Sequence, residues 1–88
     1  MITQAQINNI GGLLKAQAID ESSVNELRKQ FPDIHFTYCM DDDVIAASPL
    51  HESENFNLYL IDSRNHCLCF TQDMNVATGV VVAEIEAA

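Results

Sequence analysis

The sequence predicts an α+β domain in which an N-terminal helical hairpin packs on a mainly antiparallel sheet of about four strands. Two observations support this fold class. Apolar residues recur at helical spacing as far as Phe31, and Pro32 forbids continuation of a helix. Beyond Pro32 the apolar residues alternate with a period of two, which is typical of strands. At 88 residues the chain fits a single domain, with the helical hairpin over residues 3–31 and the sheet over residues 34–86.

The first helix is predicted over residues 3–17. Thr3 and Gln6 have the spacing of a capping box, in which each side chain satisfies a backbone amide of the other residue. The pair Gly11 and Gly12 weakens the helix, because glycine in a helix interior costs up to about 1 kcal/mol relative to alanine. The pair either divides the helix or lets another backbone approach closely, and we favour the close approach. One helix face carries the apolar residues Ile7, Ile10, Leu14 and Ala18.

The second helix is predicted to begin after Asp20-Glu21-Ser22-Ser23, where Ser23 and Glu26 have the spacing of another capping box. It ends by Phe31. Arg28 and Lys29 lie near its C-terminal end, where cations interact favourably with the helix dipole. A short turn between the two helices predicts an antiparallel hairpin.

The remaining residues predict the sheet. A strand over residues 34–40 stops at Asp41-Asp42-Asp43, and residues 44–55, which include Pro49, indicate a long loop. Two further strands begin at Phe56 and His66 and form a hairpin around a turn at residues 62–65. The end of the chain fits either a helix or a strand. We interpret residues 74–86 as a helical turn followed by a strand, because three consecutive valines favour a buried strand.

The net charge of −9 restricts the function classes. Four Lys and Arg residues cannot form the basic patch that nucleic acids or anionic membranes require. A basic protein partner or a cation is favoured instead. No Lys or Arg lies between Gln30 and Ser63, a span that holds seven acidic residues. The absence of an apolar run at the N-terminus predicts a cytoplasmic protein, and three cysteines fit reduced thiols better than a disulfide framework.

Most of the chain resembles a known family, and the resemblance depends on the C-terminal half. The residues that carry it are Asn57-Leu58-Tyr59-Leu60-Ile61-Asp62, His66-Cys67-Leu68, Thr71-Gln72-Asp73 and Ala77-Thr78-Gly79. They are similar to a family of small, acidic proteobacterial proteins that is classed as a domain of unknown function. The resemblance implies a stand-alone bacterial cytoplasmic domain and carries over no catalytic residue.

Cysteine and histidine residues raise the alternative of a metal-binding domain. A zinc or iron site would combine Cys67 and Cys69 with either Cys39 or His35 from an adjacent strand, and it would lack a certain fourth ligand. His35 and Cys39 cannot both take part, because four residues of strand separate them by roughly 13 Å. Core packing is the commoner role of such cysteines, so we predict no cofactor.

The leading hypothesis places the function in the acidic loop over residues 41–55. We expect a non-enzymatic interaction or accessory domain, monomeric or homodimeric, that engages a basic protein partner. The sequence holds no phosphate-binding loop, dinucleotide fingerprint or nucleophile elbow. An enzyme with a small-ligand site at a dimer interface remains a second alternative. The expected partner-binding residues are Asp41, Asp42, Asp43, Glu52 and Glu54. These acidic residues could also gather around a divalent cation, but consecutive aspartates at the end of a strand more often form a solvated turn.

Overall fold

A computed structural model describes residues 2–16, 18–44, 47–63 and 69–85. Within these ranges the chain forms two helices followed by a five-stranded mixed sheet, so the predicted α+β class is confirmed. No helix in the described ranges is both long and apolar enough to cross a membrane. The elements in chain order are α1 (Gln4–Lys15), α2 (Glu21–Gln30), β1 (His35–Met40), β2 (His51–Glu52), β3 (Phe56–Asp62), β4 (Cys69–Thr71) and β5 (Gly79–Glu84).

Both helices begin at capping boxes. The Thr3 hydroxyl accepts the backbone N–H of Gln6, as the sequence predicts. The second box differs from the prediction, because the cap of α2 is Asp20, whose carboxylate accepts the N–H of Ser23. Asp20 is the better cap, since a carboxylate at a helix N-terminus also interacts with the helix dipole. The helix therefore starts at Glu21, two residues before Ser23.

The sheet has the spatial order β1-β5-β3-β2. The prediction of a mainly antiparallel sheet needs one correction, because the final strand β5 lies parallel to β1 and makes the sheet mixed. The strand β5 is antiparallel to β3 on its other side. Along its opposite edge β3 pairs with β2 in one half and with β4 in the other half, and the β3–β4 pairing confirms the predicted hairpin.

The predicted loop over residues 44–55 differs from the structure. His51 and Glu52 pair with β3, so the unpaired segment is shorter than the loop expected over residues 44–55. The hydrogen bond from the backbone N–H of Ser53 to the carbonyl oxygen of Phe56 closes the turn of this β2–β3 hairpin. Residues 74–76 form a turn before β5, in agreement with the interpretation of a helical turn followed by a strand. Residues 64 and 65 of the predicted turn at residues 62–65 lie outside the described residues.

The sheet has two different faces. On the first, which we call the covered face, residues of β1, β3 and β5 pack against both helices and form the larger apolar core. Alternation along the strands places Tyr59, Ile61, Val81 and Ala83 on the opposite face, which we call the open face. Neither α1 nor α2 contributes to the cluster on the open face. The fully buried side chains between the helices and the covered face include, from the helices, Ile7, Ile10, Leu14, Val24 and Leu27 and, from the strands, Leu58, Leu60, Val80 and Val82.

Gly11 explains how α1 approaches the sheet. A Cβ atom added at Gly11 would lie 3.0 Å from Nε2 of His51, whereas one added at Gly12 would meet nothing within 4 Å. The His51 ring stacks on Phe56 with the ring centroids 6.0 Å apart. The expected close approach at the glycine pair therefore occurs at Gly11, and the group that approaches is a side chain rather than a backbone.

Candidate functional site

The segment that follows β1 folds back over the open face. Asp41–Asp43 form a single 3-10 turn, which redirects the chain. Beyond this turn, Val44 and Ala47 pack against the apolar cluster of the open face. We refer to residues 41–44 together with Ala47 as the covering segment. The covering segment therefore shields part of the open face, which no α-helix covers in the described residues.

Asp41 fixes the covering segment to the sheet. Its Oδ1 atom accepts a hydrogen bond of 2.8 Å from the Tyr59 hydroxyl and one of 3.0 Å from the Asn57 side-chain amide. Burial and the hydrogen bond to Asp41 raise the pKa of Tyr59, because the neutral phenol donates to the carboxylate. The carboxylate of Asp41 is therefore engaged within the chain and is only partly exposed.

The neighbouring aspartates point to solvent. Asp42 and Asp43 are exposed, and no hydrogen bond of either side chain is found among those of the described residues. Glu52 and Glu54 are also exposed, in and after β2. The register places both glutamates at the end of the sheet where β1 stops, since Glu52 lies opposite Asn57 near the start of β3.

Further acidic residues lie at the same end of the sheet. Glu84 ends β5 opposite Met40, and its carboxylate accepts a hydrogen bond from the Tyr38 hydroxyl. This bond, together with burial and the charges of Glu84, Asp20 and Glu21, raises the pKa of Tyr38 to about 12. Asp20 therefore adds to the negative potential at this end, whereas the charge of Glu21 is partly balanced by its ion pair with Arg28 at 3.2 Å. We call it the acidic end; it comprises Asp20, Glu21, Asp41, Asp42, Asp43, Glu52, Glu54 and Glu84.

A shallow apolar pocket lies beside the covering segment. It has a volume of about 250 Å³ and is lined by Thr37, Cys39, Asp43, Val44, Ile61, Phe70 and Val81. Phe70 forms its outer wall, and its ring meets that of Tyr59 edge-on with the centroids 5.7 Å apart. Among the described residues, Phe70 is the one large apolar side chain that is exposed, at 46 % of its surface. Sequence reasoning missed this pocket, although the alternation of β4 would have placed Phe70 on one face.

Cys39 lines this pocket but is poorly suited to nucleophilic chemistry. Burial raises the pKa of the Cys39 thiol, and the charges of Asp43 and Asp41 raise it further. Because the thiolate is the reactive form, these effects lower the reactivity of Cys39 near neutral pH. The side chain acts as one apolar wall of the pocket.

The structure does not bring Cys39 and Cys69 together. Cys39 lies on β1 and Cys69 on β4, with β5 and β3 between them, so the two strands are three spacings or roughly 14 Å apart. The two residues also lie on opposite faces of the sheet. His35 is on β1 at the other end from Cys39, and Cys67 lies outside the described residues. Among the residues that the structure describes, no group of three or more His, Cys, Asp or Glu side chains is placed to hold a metal ion.

Comparison with known proteins identifies the family. The sequence profile of a family of unknown function, DUF6129, matches residues 6–85. The chain belongs to the DUF6129 family. This result confirms the resemblance to a family of unknown function, and the match includes both helices and all five strands of this DUF6129 domain apart from the first residues of α1. No curated protein and no solved structure gives a significant match.

Proposed function

We propose that the protein is a non-enzymatic interaction domain that binds a basic protein partner on its open face. The observation that carries this proposal is the apolar pocket beside Phe70, which the covering segment leaves accessible. Apolar surface of this kind with a polar rim is typical of protein interaction sites. The pocket is supported on rigid strands and bordered by a loop, which is the usual arrangement of a binding surface.

The acidic end indicates the charge of the partner. Asp43 is part of the pocket lining and Asp42 is its exposed neighbour, so a bound partner would lie against negative charge. A surface of one sign attracts partners of the opposite sign and accelerates their association. The same field disfavours nucleic acids and anionic membranes, which agrees with the composition of the chain.

The proposed roles of the acidic residues differ. Asp42 and Asp43 contact the partner, and Glu52 and Glu54 strengthen the field at the same end of the sheet. Asp41 acts instead as a positioning residue, because it holds the covering segment on Tyr59 and Asn57. The half-buried free thiol of Cys39 suits the reducing cytoplasm that the sequence predicts.

Affinity capture with charge variants tests the proposal. The tagged full chain and the variant Asp42→Asn/Asp43→Asn are used to capture proteins from a lysate of the source cells, and quantitative mass spectrometry compares the bound proteins. We expect a basic protein that is enriched on the wild-type chain and depleted at least several-fold on the variant. Far-ultraviolet circular dichroism verifies that both chains are folded.

The matched control removes the same charge elsewhere. Asp33 and Glu26 are exposed and lie outside the acidic end, so Glu26→Gln/Asp33→Asn changes the net charge equally. This control is expected to retain the partner. Equal loss of the partner in both variants would indicate a response to net charge alone, and full retention on Asp42→Asn/Asp43→Asn would disprove the proposed surface.

A further inference from the structure

We infer that the basic partner inserts one aliphatic or aromatic side chain into the pocket beside Phe70, from a segment in which Lys or Arg flanks that residue. The inference rests on the proposed function and specifies the chemistry that the same site recognises. Its basis is the combination of an apolar lining with a border that carries charge of one sign.

The size of the pocket favours a single side chain. Its volume of about 250 Å³ is below the range of about 300–1,000 Å³ that is usual for small-molecule sites. It is also open on the side of Phe70, which is 46 % exposed. A pocket of this size is large enough for one anchoring side chain of a bound protein segment, because the other residues of the segment lie on the surrounding surface.

The lining defines the chemistry of the anchor. Ile61 and Val81 form the floor, and their side chains are 4 % and 5 % exposed. Phe70 on β4 and Val44 in the covering segment complete the apolar lining on the same open face. A buried apolar side chain fits this lining, whereas a charged one would lose its hydration without gaining a partner on the floor.

The border defines the neighbours of the anchor. Asp43 is the one charged residue in the lining, and Asp42 and Asp43 are both exposed. A Lys or Arg within a few residues of the anchor can therefore reach a carboxylate while its apolar neighbour occupies the pocket. A second copy of the chain is a poor occupant, because each copy carries a net charge of −9 and the same acidic border.

Peptide titrations separate the contribution of the pocket from that of the charge. The first probe is the fluorescently labelled peptide Lys-Lys-Ser-Leu-Ser-Lys-Lys, and the second replaces Leu with Gly. The third keeps Leu and replaces every Lys with Ser. Fluorescence anisotropy with the full chain is expected to show about tenfold tighter binding of the Leu probe than of the Gly probe, and the weakest binding for the uncharged probe.

Variants of the pocket wall identify where Leu binds. Phe70→Ser is expected to remove the preference for Leu over Gly while the salt-dependent binding of the Gly probe remains. Thr37→Gln, which extends a polar side chain at the other wall, is a second variant with the same expected result. Gln72→Ser is the matched control, because Gln72 is exposed next to β4 and is absent from the pocket lining.

The outcomes distinguish the two proposals. Binding of both basic probes with equal affinity would overturn the apolar anchor and leave the basic partner intact. Failure of every basic probe to bind would contradict the basic partner itself. Tighter binding of the uncharged Leu probe would show that charge has no part in recognition. A dimer in sedimentation equilibrium that Phe70→Ser converts to a monomer would assign the pocket to self-association and overturn the inference.

Discussion

The two faces of the sheet are built from neighbouring residues of the same strands, yet they differ in what covers them. On the covered face α1 and α2 exclude water from Leu58 and Val82, which are 0 % exposed. On the open face, a short covering segment packs against Val81 and leaves Phe70 exposed. The covered face therefore holds the fold together, whereas the apolar surface that stays accessible on the open face is the basis for proposing a partner there.

The largest expected effect comes from matched substitutions on β5. Val82→Ala leaves a cavity under the helices and is expected to lower the free energy of unfolding by about 2–3 kcal/mol. Val81→Ala should cost about 1 kcal/mol, because the space it vacates joins a pocket that water already reaches. Urea denaturation measures both values. Equal losses would mean that the two faces are packed alike.

The next effect concerns the attachment of the covering segment. Asp41→Ala removes the acceptor of Tyr59 and Asn57 and is expected to cost about 1–3 kcal/mol. Asp42→Ala, which removes the same charge from an exposed side chain, should change stability by less than about 0.5 kcal/mol. In a Cys67→Ser/Cys69→Ser background, iodoacetamide should label Cys39 faster in Asp41→Ala than in Asp43→Ala, which removes the other charge that raises the pKa of this thiol but leaves the contact to Tyr59 intact. Identical labelling rates would contradict a positioning role for Asp41.

A smaller effect tests how closely α1 approaches the covered face. Gly12→Ala is expected to raise the free energy of unfolding by up to about 1 kcal/mol, because its new methyl group meets nothing and alanine favours the helix. Gly11→Ala should lower it by about 1 kcal/mol, because the methyl group would displace the His51 ring. Thermal unfolding would show shifts of opposite sign. A stabilising Gly11→Ala would indicate that His51 is not packed against the helix.

The smallest effect uses the two tyrosines, of which one lies on each face. Tyr38 donates to Glu84 on the covered face and Tyr59 to Asp41 on the open face, and the pKa of each is raised. For Tyr38, with a folded pKa of about 12 against 10.0 in the unfolded chain, this contribution to stability is complete below pH 10 and lost as the pH rises through 12. Ultraviolet titration of the folded protein should therefore show no tyrosinate near pH 10. A tyrosine that ionises near pH 10 would contradict its hydrogen bond to the carboxylate.

Much of the fold could be predicted because its signals are local. The capping box at Thr3, the stop at Pro32 and the alternation after Phe56 each depend on a few neighbouring residues. The parallel pairing of β1 with β5 could not be predicted in this way, because residues 35–40 and 79–84 are distant in the sequence and alternation alone carries no direction. The two-residue strand β2 is too short to give any periodic signal.

The candidate site was only half predictable for a related reason. The run Asp41-Asp42-Asp43 is evident in the sequence, but its members have different environments, and only the structure separates the engaged Asp41 from its exposed neighbours. The pocket joins residues from β1, β3, β4, β5 and the covering segment, so no single stretch of sequence contains it. Glu84 and Asp20 belong to the acidic end through the topology of the chain rather than through proximity in sequence.

Nuclear magnetic resonance tests most directly whether a basic peptide binds on the open face. The uniformly ¹⁵N-labelled chain is titrated with the peptide Lys-Lys-Ser-Leu-Ser-Lys-Lys, and the backbone amide shifts are followed. The largest changes are expected on the open face, at Thr37, Cys39, Val44, Phe70 and Val81, and Phe70→Ser is expected to suppress them. Changes that instead concentrate on the exposed residues of α1 and α2 would contradict binding on the open face.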